Sequence, residues 1–76
     1  MNNNRRKQIR SIIEKLENLN NEIEEVQSEE QEYRDNMPDN LQDSEKAEKA
    51  DSAIYALDEA VENISACIEN LEEAAE

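Results

Sequence analysis

The chain of 76 residues has no glycine, histidine, tryptophan or phenylalanine, and only one cysteine and one proline. Each absence closes a class of function. Without glycine there is no phosphate-cradling loop, no dinucleotide fingerprint and no nucleophile elbow. The glycine-centred calcium loop is missing for the same reason. Without histidine, and with Cys67 alone, the ordinary zinc, haem and iron–sulfur ligand sets are incomplete. A di-iron bundle built on Glu-x-x-His is excluded likewise. Cys67 has no partner for an internal disulfide and fits a reducing compartment. No apolar run is long enough to span a membrane or form the core of a signal peptide. Neither enzymatic activity nor a cofactor is expected.

Acidity and periodicity are abundant. Twenty-one carboxylates against eight lysines and arginines give a net charge of −13. Such acidity, with Tyr33 and Tyr55 as the only aromatics, can mark a disordered chain. The spacing of the apolar residues argues for order. Ile9, Ile12, Leu16, Leu19, Ile23 and Val26 alternate by three and four, and Glu30, Tyr33 and Met37 continue the rhythm. Ala50, Ile54, Leu57, Val61, Ile64, Ile68, Leu71 and Ala75 repeat it, with Ala47 before them. This is a heptad seam, with Ile9, Leu16 and Ile23 at a and Ile12, Leu19 and Val26 at d. The residues between are mostly Glu, Gln, Asn, Lys and Ala, largely strong helix formers.

The break falls at Pro38, which cannot sit inside a helix and turns Met37 away from helical angles. Asp39, Asp43 and Ser44 are competent caps for a second helix, and Asp39 with Gln42 has capping-box spacing. The expected elements are a helix over 4–35, a turn over 36–42 and a helix over 43–75, in one domain covering 1–76. So short a turn makes the helices antiparallel neighbours. One register serves the whole seam, pairing Ile9 with Leu71, Leu16 with Ile64, Leu19 with Val61, Ile23 with Leu57 and Val26 with Ile54. The fold class is therefore all-α, an antiparallel two-helix coiled-coil hairpin. Leu41 lies off the seam and is expected over the turn, near Tyr33 or Met37. Glu30, at a seam position near the turn, is expected to reach its carboxylate out to water.

Ala53, Ala60, Cys67 and Ala74 recur every seven residues beside the seam. With Ile13 from the first helix, they widen the apolar face beyond the needs of two strands. A hairpin has a single layer of contacts, which is little burial against the entropy of ordering the chain. A homodimer forming a four-helix bundle through Ile13, Ala53, Ala60, Cys67 and Ala74 is the expected remedy. Cys67 is read as a small, half-buried hydrophobe.

Charge is unevenly spread. Arg5, Arg6, Lys7, Arg10 and Lys15 occupy the first fifteen positions, while no cation follows Lys49. The hairpin brings the basic start beside Glu69, Glu72, Glu73 and Glu76, and pairing there is expected to offset unfavourable helix-dipole placement at both ends. No direct binding of nucleic acid is expected, because the carboxylates repel it. The middle of the rod carries the unbalanced negative field. Glu22, Glu24, Glu25, Glu29, Glu32, Asp58, Glu59 and Glu62 are the candidate partner-binding carboxylates.

The turn reads Asn36-Met37-Pro38-Asp39-Asn40-Leu41-Gln42, followed by Ser44-Glu45 and a long Leu/Ile/Ala helix. This stretch, within residues 32–50, resembles a group of small hypothetical proteins encoded by phages and mobile elements of Gram-positive bacteria. The sequence departs from them at Lys46-Ala47, where many members carry an aromatic. The resemblance implies an accessory, host-directed role in a bacterial cytoplasm and transfers no catalytic residues. The expected function is a non-enzymatic acidic module that modulates a host protein through that protein's basic surface, as a mimic of nucleic acid. The alternative is a structural, self-assembling coiled-coil module.

Overall fold

A computed structural model describes all 76 residues as two long helices joined by a compact turn. Helix α1 spans Asn3–Asp35 and helix α2 spans Glu45–Ala74, with one turn of 3-10 helix at Asp39–Leu41 between them. The helices pack against each other as an antiparallel hairpin with extents of 60 × 15 × 12 Å. The bounds fall within two residues of those read from the sequence.

The ends of the helices follow from local chemistry. The Asn2 side chain accepts the Arg5 backbone N–H at 2.8 Å and starts α1. Pro38 is extended (φ −60°, ψ 154°) and stops its continuation. Ser44, alone among the three candidate caps, starts α2. Its hydroxyl oxygen accepts the Ala47 N–H at 3.3 Å, and its O–H donates to the Leu41 carbonyl at 2.6 Å. Gln42 does not complete a capping box. Its amide donates back to the Met37 carbonyl at 2.7 Å, and its carbonyl oxygens accept from Arg34. Arg34 also pairs with Asp51 at 2.9 Å, so one guanidinium ties α1, the turn and α2 together. Replacing Ser44 with Ala removes the cap, and equilibrium urea unfolding is expected to show a loss of about 1 kcal/mol.

Burial is thin. Six of the 76 residues are buried and no large side chain is fully enclosed. Met37, Ala47 and Ala50 form the one buried cluster, at the turn end.

The seam on α2 is as the heptads predict, from Ala47 to Ala75. The seam on α1 is not. Ile12, Leu19, Val26 and Tyr33 are 38%, 50%, 52% and 51% exposed, whereas Ile13 and Asn20 are buried at 9% and 8%. Gln27 and Arg34, seven and fourteen residues beyond Asn20, are half-buried. The level of pairing shifts by only one residue. Asn20 donates to the Val61 carbonyl and Gln27 to the Ile54 carbonyl, where Leu19 and Val26 were expected. Helix α1 is therefore turned about its own axis by roughly 50°, half of the 100° step between successive residues. Asn20, Gln27 and Arg34 find partners on α2, and the aliphatic residues preceding them are displaced outward.

Candidate interaction surface

The rotation gives the hairpin two unlike long sides. On one side the polar residues cross between the helices. The Asn20 amide reaches Ser65 Oγ at 3.3 Å, and Arg34 reaches Asp51. Heptad geometry places Glu17 and Glu24 of α1 on this side, with Asp51, Asp58 and Glu72 of α2, and Glu48, Glu62 and Glu69 just beyond. On the opposite side, Tyr33 and Ala53 share a hollow with Glu30, Lys46, Lys49 and Ala50. Ile12, Leu19 and Val26 of α1 and Ala60, Cys67 and Ala74 of α2 continue that side by sevens. One long side is therefore mainly acidic, with Tyr55 exposed among its carboxylates, and the other mainly apolar, with Lys46 at its turn end.

All eight carboxylates singled out in the sequence are exposed. They do not form one face. Glu24, Asp58 and Glu62 lie on the acidic side, Glu25, Glu32 and Glu59 on the outer ridges, and Glu22 and Glu29 along the border of the apolar side. Glu17, Glu48, Asp51, Glu69 and Glu72 complete the acidic side; the sequence marks none of them as partner-binding and sets Glu69 and Glu72 against the basic start instead. Only Asp51 and Glu45 have a cation within 4.0 Å. No three His, Cys, Asp or Glu side chains are grouped to hold a metal.

The residues expected at an oligomer interface also divide. Ile13 is a correction: it is enclosed in the hairpin's own seam, so Ile12 takes the outward position. Ala53 and Ala60 are half-buried beside the seam, and Ala74 is open. Cys67 is exposed rather than half-buried. Glu30 is half-buried in the hollow beside Lys46 and Lys49. Leu41 shares a shallow groove with Tyr33, Met37 and Pro38, over the turn as expected. At the chain ends, the expected ion pairs with Glu69, Glu72 and Glu73 do not form. Arg6 instead donates to the Glu76 main-chain oxygen at 3.3 Å.

No helix is long and apolar enough to cross a membrane. Comparison with protein families, curated proteins and solved structures finds no match.

Proposed function

We propose that the chain is a non-enzymatic interaction module whose acidic side binds a basic surface on another protein, in the way that surface would hold nucleic acid. The observation that carries this reading is the uncompensated charge. Two of the 21 carboxylates have a cation partner, so the rest project their field into solvent from a stiff rod. A fixed row of like charges steers an oppositely charged partner and sets its register without any catalytic group. A host factor in a bacterial cytoplasm, met by a protein of phage or mobile-element origin, fits this role.

The test is capture of a partner from bacterial lysate by the immobilised chain, eluted with salt. Contacts between exposed charges are screened within about 10 Å at 0.1 M salt, so retention at about 0.05 M is expected to vanish by about 0.5 M. Glu24→Lys, Asp58→Lys and Glu62→Lys together are expected to abolish it. Retention that survives both changes would sink the reading.

A second reading is favoured by one specific observation, the exposure of Ile12, Leu19, Val26 and Tyr33 along a single side. Here the chain is a self-assembling structural module, and the acidity serves solubility. Ala60→Glu then abolishes function, while charge reversal at Glu24 leaves it intact.

A further inference from the structure

We propose that the apolar side is the interface of a homodimer in which two hairpins lie head to tail, α1 against the partner's α1 and α2 against the partner's α2. The proposal rests on the self-assembly reading and adds the face, the orientation and the contacts.

Surface area points to a second copy. The hairpin exposes 5803 Å². A compact monomer of its 8.8 kDa mass exposes about 4,800 Å². The excess, about 1,000 Å², is close to the roughly 800 Å² that each partner buries in a standard protein interface. The apolar side has the shape and chemistry to remove it. Ile12, Leu19, Val26 and Tyr33 supply large side chains along α1, and the small residues of α2 allow close approach of a second backbone.

Charge then fixes the orientation. Along the border of the apolar side, α1 carries Lys15 towards its start and Glu22 and Glu29 towards its end. With the rods fully overlapped, two α1 helices running in opposite directions bring Lys15 level with the partner's Glu22. The corresponding border of α2 is Lys49, Ala56, Asn63 and Asn70, with no carboxylate, so two acidic helices can meet there. The ends of the rod agree. Residues 28–50, around the turn, hold eight carboxylates and three cations. Residues 1–15 and 62–76, at the other end, hold six carboxylates and five cations. Head-to-tail packing places each strongly acidic turn beside a nearly balanced end. The opposite packing would join the two acidic turns.

The experiment has two arms. Sedimentation equilibrium of the unmodified chain is expected to give a dimer. Leu19→Glu is expected to raise its dissociation constant at least ~100-fold, because two charges enter the apolar interface per dimer. Leu19 is exposed in the single hairpin, so helicity in dilute solution should persist. A monomer at every concentration overturns the proposal together with the self-assembly reading, and a dimer indifferent to Leu19→Glu overturns the face proposed here and leaves self-assembly standing. In the second arm, spin labels on Asp39→Cys, in a Cys67→Ala background, mark the two turn tips. Head-to-tail packing separates them by nearly the 60 Å length of the rod. Adjacent tips overturn the orientation proposed here and leave self-assembly standing.

Discussion

Ile13→Asp is expected to abolish folding of the hairpin, while Ile12→Asp, one residue away, leaves it folded. The pair tests the rotation of α1 directly. Ile13 is enclosed against α2, so the substitution loses an aliphatic contact and also buries a carboxylate with no partner. Loss of the aliphatic contact alone costs at least about 2 kcal/mol, and the buried charge adds to it, for a total on the order of 4 kcal/mol or more. A domain of 76 residues holds only about 4–11 kcal/mol in all. Ile12 faces outward, and in the single hairpin its replacement by Asp costs about 1 kcal/mol or less. The comparison belongs in dilute solution, read by circular dichroism, where association adds no apparent stability. Equal damage from both substitutions would restore Ile12 to the seam and remove the apolar side.

This pair also shows how far the sequence can be read. The two helices and the α2 seam follow from spacing and the break from Pro38, because on α2 only one stripe carries the large aliphatic residues and the stripe beside it is small. On α1, two seams share Ile9, Leu16 and Ile23. One adds Ile12, Leu19, Val26 and Tyr33, and the other adds Ile13, Asn20, Gln27 and Arg34. Hydrophobicity favours the first, and a heptad count chooses it. The structure adopts the second, whose polar members reach acceptors on α2, and no single-helix pattern displays those acceptors. The only local sign was Ile13, an aliphatic residue on the side of the helix that the first seam leaves to solvent. The candidate surfaces were therefore less legible than the fold. Exposed carboxylates can be named from composition, but their grouping onto one side depends on an angle of rotation that the pattern left ambiguous. The small-residue stripe is visible in the sequence, yet the heptad count places the large side chains that share its face in the hairpin's interior.

The polar seam has a cost that a second substitution exposes. Asn20 donates to the Val61 carbonyl and to Ser65, but its Oδ1 is buried without a hydrogen-bond partner. A buried unpaired oxygen costs about 1–3 kcal/mol, against net gains of about 1 kcal/mol for each bond made. Asn20→Leu removes the unpaired oxygen and adds an aliphatic contact between Leu16 and Ile23. The Val61 carbonyl remains inside a helix and Ser65 is open to water, so neither lost bond leaves a strongly buried group unpaired. A net gain of about 1–2 kcal/mol is expected, which raises Tm by roughly 4–15 °C in a domain of this size. Stability and definition then separate. With Leu at position 20 the α1 seam becomes more uniformly aliphatic, and the pairing level loses its most buried polar anchor, in the way a single seam Asn fixes register in other coiled coils. The variant is expected to melt later while showing broadened or doubled amide resonances around Val61. A lower Tm would mean that the two Asn20 bonds outweigh the stranded oxygen. A higher Tm with a single sharp set of resonances would mean that Gln27 and Arg34 hold the register without Asn20.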